Sequence, residues 1–321
     1  MHYTTLGRTG LKVSVAGLGC GGASRLGMAG GASRGDAARL VRHAIDLGVN
    51  VIDTARLYGT EGAVGDALKG MPRDSVVVAT KHLVHSDGHT HSPAEVVAGL
   101  DTSLRELGLD YVDIFYIHGL TLQRWDHAIN HVLPALRREQ EKGKFRFLGA
   151  TEAPHQDPCH DATVRGIDKG LFDVVMLAFS ILNQNARDVV FPKSMANRVG
   201  TMLMFVVRQI FADPDLMRAT IRKLAVDGEL PAAFAAKDEP LDFLVHAGGA
   251  GNLLDAAYRY GRHEPGADVV LFGTGSAKHM EQNIASILAP PLPENDRATV
   301  RALFGKLVGI GLENHALAQA R

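Results

Sequence analysis

Ser75-Val76-Val77-Val78-Ala79-Thr80-Lys81 is the stretch that decides the fold. Its apolar residues follow one another without alternation and then stop at Thr80 and Lys81. A half-solvated strand alternates, so this run reads as a parallel strand covered on both faces. Seven further runs share the character, at residues 14–19, 50–55, 111–118, 145–150, 173–178, 200–206 and 267–274. Helical patterns separate most of them. Residues 36–47 place Ala37, Leu40, Val41, Ala44 and Ile45 at helical spacing. Ser92-Pro93-Ala94-Glu95 is a capping box with proline at the first helical position, and Gly108 ends the helix it opens. Further helices are predicted over residues 125–142, 163–169, 278–288 and 296–312. Strand and helix alternate eight times with no linker-like shift in composition. The expectation is one α/β domain over residues 1–321, a (β/α)8 TIM barrel with a short N-terminal β-hairpin over residues 3–15.

Composition narrows the function classes. The 321 residues carry 34 basic and 35 acidic side chains, a formal net charge of −1. That balance excludes a strongly basic nucleic-acid binder and an acidic disordered chain. Cys20 and Cys159 are too few for a disulfide scaffold. No signal-like segment opens the chain, and no apolar run approaches the length of a membrane span. A cytoplasmic protein with no nucleic-acid and no membrane partner is expected.

In a barrel of this kind chemistry gathers at the C-terminal ends of the strands. The second run ends Val51-Ile52-Asp53-Thr54-Ala55 with Tyr58 close behind, the third at Lys81, the fourth at His118 and the fifth at Thr151-Glu152. Burying Asp53 or Lys81 is costly unless they pair, and their neighbouring strands make a mutual ion pair natural. A plain staple between strands accounts for that pair. It does not account for Tyr58 and His118 at the same rim. Lys81 beside the phenol is expected to lower the Tyr58 pKa, with Asp53 keeping Lys81 charged and oriented. Tyr58 can then give a proton to a carbonyl oxygen or take one from an alcohol, while His118 holds the substrate oxygen.

These residues carry a resemblance. Asp53-Thr54-Ala55 with Tyr58-Gly59, Ala79-Thr80-Lys81, and Asp113-Ile114 with Ile117-His118 are similar to the motifs of the aldo-keto reductase family. So are residues 5–14, Gly17-Leu18-Gly19, residues 141–146 and Gly273-Thr274-Gly275-Ser276. The resemblance implies a catalytic tetrad of Asp53, Tyr58, Lys81 and His118. It also implies an NADP or NAD cofactor and a small carbonyl or sugar substrate, with no metal. Residues 132–136 and 149–154 resemble the galactose and related aldose dehydrogenases, which implies oxidation of an aldose to a lactone. A general aldehyde or ketone reductase is the alternative. Cofactor binding is expected at Gly19, Thr151, Phe205, Gly273, Thr274, Ser276, Lys278, His279, Gln282 and Asn283. Glycines leading into the 278–288 helix suit phosphate.

Several positions depart from the family pattern. His279 stands where an arginine commonly grips a 2′-phosphate, with Lys278 beside it. Glu152 and Met176 replace the amides that hold the nicotinamide carboxamide, leaving Asn183 or Gln184 as alternative anchors. Phe205 replaces a stacking tyrosine, and its ring can still stack. Trp125, Arg208 and the irregular interval 207–266 are candidates for shaping the substrate site.

Two motifs read as decoys. Gly17-Leu18-Gly19-Cys20-Gly21-Gly22 fits a dinucleotide fingerprint, yet a glycine-rich loop rather than a helix follows it. His82, His85, His89 and His91, and then His155, Cys159 and His160, would suit a metal-dependent barrel hydrolase. They fall on loops without a carboxylate-bearing ligand motif and read as surface or substrate-lining histidines. A catalytically silent cofactor-binding barrel is a third class, against which a complete tetrad argues.

Overall fold

The computed structural model describes residues 1–312. Eight parallel strands close into a barrel: β1 (Ala16–Gly19), β2 (Val51–Asp53), β3 (Val77–Leu83), β4 (Val112–Leu120), β5 (Phe145–Glu152), β6 (Val174–Ala178), β7 (Gly200–Met204) and β8 (Val269–Phe272). Each strand pairs with the next, and β8 closes on β1 through Val270 opposite Ala16. All eight apolar runs are therefore barrel strands, and a hairpin of Tyr3–Thr5 with Lys12–Ser14 precedes them as expected.

Two apolar layers follow from the alternation of side chains along each strand. One set fills the barrel interior, including Val51, Ala79, Ile114, Tyr116, Met176 and Met202, with Leu6, Leu11 and Val13 of the hairpin against it. The larger set lies between strands and helices. Tyr116 fills the interior because β5 offers glycine beside it. A Cβ on Gly149 would lie 2.3 Å from the Tyr116 ring and 2.7 Å from the Val174 carbonyl oxygen.

The helices follow their local signals with four differences. The first helix starts earlier than the apolar spacing indicates, at Arg34, because Ser33 and Asp36 form a capping box. The helix expected over residues 125–142 is interrupted by a π-turn at Ala128–Val132 before Leu133–Glu141 resumes. Pro134 has no N–H to donate back into the preceding turn, which favours that irregularity. The helix expected over 296–312 runs only from Glu294 to Phe304. Helix Glu61–Leu68 was not signalled by spacing. It is buried almost all round, and Gly65 lies so close to the next helix that a Cβ would meet the Leu107 carbonyl oxygen at 2.5 Å. Helix Pro93–Leu107 has its Ser92–Glu95 capping box and its left-handed Gly108.

Residues 207–266 fold into short helices Gln209–Ala212 and Pro214–Val226 and a longer turn region, ending in helix Leu253–Arg262. Among the described residues no helix is long and apolar enough to cross a membrane. After β1 the chain passes through Arg25–Gly30 before a helix begins at Arg34, so Gly17–Gly22 belongs to a barrel loop and does not open a helix.

Candidate active site

Asp53 is the last residue of β2 and Lys81 lies one strand away on β3, so pairing brings them together at the barrel mouth. Lys81 Nζ donates to both Asp53 carboxylate oxygens, at 2.6 and 2.7 Å, and to the Thr54 carbonyl at 2.9 Å. Both side chains are buried. Removal from water weakens the Lys81 ammonium, but Asp53 and Tyr58 outweigh that and hold its pKa above the ordinary value. Burial raises the Asp53 carboxyl above its ordinary pKa, with the Lys81 ammonium pulling against that rise.

Tyr58 ends a tight turn, Arg56–Tyr58, closed by left-handed Gly59. Its ring centroid lies 5.0 Å from Lys81 Nζ and 5.9 Å from the His118 ring, edge to face. The direction of its titration differs from the expectation. Burial pushes the phenol above its ordinary pKa; Lys81 pulls it down without cancelling that, and Asp53 adds to the rise. Tyr58 is thus a held acid. The reason is desolvation, which acts against phenolate before any neighbour does.

His118 is aimed by an irregularity in β4. The β4–β5 register shifts between Ile117 and Leu120, and Gly119 takes φ +67°. Such bulges re-aim side chains at barrel rims. Burial first, then the Lys81 ammonium and His82, push the imidazole down to about 3, so it is neutral. Its Nδ1 is buried without a hydrogen-bond partner. A neutral ring can offer one donor or one acceptor to a substrate oxygen.

Cys20 adjoins the group, its N–H donating to the Asp53 carbonyl at 2.8 Å. Burial pushes its thiol pKa far up, which keeps it from serving as a nucleophile.

Two clefts meet at Tyr58, Met176, Met204 and Phe205. One, of about 410 Å³, runs from Gly19, Gly21 and Ser24 past Arg208 to Gly273. The other, of about 240 Å³, is bounded by Lys81, His118, Thr151 and His155. Gly21 is required here, since a Cβ would lie 2.6 Å from the Tyr58 ring.

The expected cofactor residues divide between these clefts and the helix beyond. Gly19, Phe205 and Gly273 line the larger cleft. Phe205 holds its ring there from a left-handed backbone, φ +63°, with the Arg208 guanidinium 4.0 Å from the ring centroid. Thr151 lies on the smaller cleft, and its Oγ1 accepts from the Gly119 N–H at 2.9 Å. Ser276 caps helix Ala277–Leu288, and Thr274 Oγ1 accepts from the Ser276 N–H at 3.1 Å. Lys278, His279 and Gln282 are exposed on that helix and Asn283 is half-buried; none lines the larger cleft.

Arg208 is the residue that sequence reasoning undervalued. It is half-buried in the larger cleft, and among the described residues no carboxylate pairs with it. An unpaired cation beside a glycine-lined wall and a phenyl face fits a dinucleotide: the guanidinium for phosphate, the ring for a flat base. Trp125 instead is buried beneath Arg165, away from both clefts.

Neither alternative carboxamide anchor, Asn183 or Gln184, reaches a cleft. Gln184 lies in neither cleft; its Nε2 donates to Ile181 and Val300 carbonyls, and its Oε1 accepts from Tyr260 and Arg187. Asn183 is also outside both clefts, with Oδ1 accepting from Gly309 N–H at 2.7 Å. Glu152 is committed too. Its Oε1 accepts from Ala178 N–H at 2.6 Å, and its Oε2 meets His160 Nδ1 at 2.7 Å and Thr163 Oγ1 at 3.3 Å.

A parallel barrel with a buried Lys–Asp pair, a tyrosine and a neutral histidine at one rim defines a class of proton-handling barrel enzymes. The chain belongs to the aldo/keto reductase family, whose profile matches residues 17–304. L-galactose dehydrogenase of Arabidopsis thaliana is 39% identical over 160 residues, 48% of this chain and 49% of that protein. The chain spans about half the length of the curated relatives it matches. An aldo-keto reductase from Bacillus halodurans shares the fold, with TM-score 0.71 in its holo form at 24% identity over 98% of this chain and 100% of that one. Its apo form gives 0.70 at the same identity and coverage.

Proposed function

We propose that the protein is an NAD(P)-dependent oxidoreductase interconverting a carbonyl and an alcohol, with an aldose as the substrate class, working in the cytoplasm. The observation that carries this is Tyr58. It stands where the two clefts meet, backed by the Asp53–Lys81 pair and flanked by neutral His118.

Phe205 and Arg208 would hold nicotinamide and phosphate in the larger cleft, with Gly19 and Gly273 allowing close approach. Ser276 and the helix it caps would complete the phosphate end. When bound, the nicotinamide supplies the hydride donor or acceptor. The residues of the chain handle the proton. In reduction the Tyr58 O–H donates to the substrate oxygen, and Lys81 at 5.0 Å from the ring stabilises the phenolate left behind. In oxidation the phenolate accepts the hydroxyl proton. His118, uncharged, fixes the substrate oxygen by a hydrogen bond without competing for that proton. The 39% identity to L-galactose dehydrogenase supports an aldose in the smaller cleft.

One observation favours the second reading, a general aldehyde or ketone reductase. The resting phenol is protonated, which suits proton donation to a carbonyl. A panel of aldoses with oxidised NAD and NADP, and of aldehydes and ketones with the reduced forms, separates the readings. Turnover of aldoses at neutral to mildly alkaline pH supports the first; turnover of carbonyls alone supports the second; neither would refute the oxidoreductase.

A further inference from the structure

Away from the reaction centre, the histidines that follow β3 converge. His85–Ser86 pairs with His89–Thr90 in a small hairpin whose turn residues, Asp87 and Gly88, both take positive φ. The His89 and His91 rings lie 5.0 Å apart. Glu95 meets them from the first turn of helix Pro93–Leu107. One ligand atom from each of His89, His91 and Glu95 lies within 4.8 Å of the other two.

The three are held by their surroundings. Glu95 Oε2 accepts from the Ser92 N–H at 2.7 Å, which leaves Oε1 facing His89 Nε2 at 2.9 Å. His91 Nε2 lies 2.9 Å from Ser86 Oγ. The His91 backbone is fixed from both sides, its N–H donating to Val84 O at 3.0 Å and its carbonyl meeting His127 Nε2 at 2.8 Å. Metal sites are built this way, with outer contacts orienting the ligands.

We propose that His89, His91 and Glu95 bind a divalent cation of the zinc class, with solvent completing the coordination. Two imidazoles and a carboxylate are a zinc donor set. Tetrahedral coordination places neighbouring ligand atoms about 3.4 Å apart, and the three present here all lie within 4.8 Å of one another. The ion would fasten the 85–91 hairpin to the start of helix Pro93–Leu107. Its place is near the end of β3: the His91 ring lies 5.2 Å from that of His82, the residue after Lys81.

The test is titration of the full chain, first freed of metal with a chelator, with zinc sulfate against a chromophoric competitor. The expected result is one ion per chain and a rise in melting temperature. His89→Ala and His91→Ala should each weaken binding by about tenfold or more. Glu95→Gln should do so as well while keeping the helix cap, since glutamine also serves in a capping box. His43→Ala removes an exposed histidine–glutamate pair elsewhere, with Glu281, and should leave affinity unchanged. Absence of stoichiometric binding, or affinity unaltered by His89→Ala and His91→Ala, would overturn the proposal and leave His89–Glu95 a surface ion pair.

Discussion

At the scale of single residues, the site rests on a buried ion pair and a phenol that burial makes less acidic. Removing Lys81 leaves the Asp53 carboxylate buried and alone, so Lys81→Met should cost about 3–5 kcal/mol in denaturant unfolding. Adding Asp53→Asn to it should recover part of that loss. A double variant no more stable than the single one would show that the pair is not the source. The raised phenol sets a pH dependence. Alcohol oxidation needs the phenolate, so its rate should climb with pH and not level off below about 10. Carbonyl reduction should stay flat over the same range. A plateau in oxidation near neutrality would contradict the burial effect. The identities of Asp53, Tyr58, Lys81 and His118 were legible because polar residues ending apolar runs are conspicuous. The direction of the Tyr58 shift was not, since sequence gives the neighbouring charge but not the loss of water. Nor was the Glu152–His160 contact, whose partners come from separate elements.

Among the elements, close approach explains what periodicity missed. Helix Glu61–Leu68 contains Gly62 and Gly65, which weaken a helical signal, yet Gly65 is what lets it pack against helix Pro93–Leu107. Gly65→Ala should therefore destabilise by about 1–3 kcal/mol despite alanine's better propensity. A denaturation midpoint at or above wild type would refute that packing argument. The strands were readable because barrel strands are apolar on both faces. The β4 bulge that aims His118 was not, since a register shift depends on the partner strand. Phe205, just past β7, is similar: nothing local announces its left-handed backbone, which non-glycine residues normally avoid.

For the whole molecule, two histidines shape stability against pH in opposite ways. His118 is pushed down to about 3 in the fold. Between about pH 6.5 and 3 the unfolded chain binds a proton there that the folded chain does not, so acidification destabilises. His160 is raised, since Glu152 and its other hydrogen-bond partners outweigh burial. Its contribution is full below pH 6.5 and is lost as pH rises through its folded value. His118→Asn should flatten the acid side of a plot of denaturation midpoint against pH, and His160→Gln the alkaline side. Unchanged slopes would show that other groups dominate. The proposed proton transfer turns on one atom, the Tyr58 hydroxyl. It is tested most directly by comparing wild type with Tyr58→Phe on the aldose and carbonyl panel, followed at the nicotinamide absorbance. Wild type should turn over substrate. The variant should fold and bind nicotinamide, but lose about 10²–10⁴-fold in kcat. A variant as active as wild type would contradict the account.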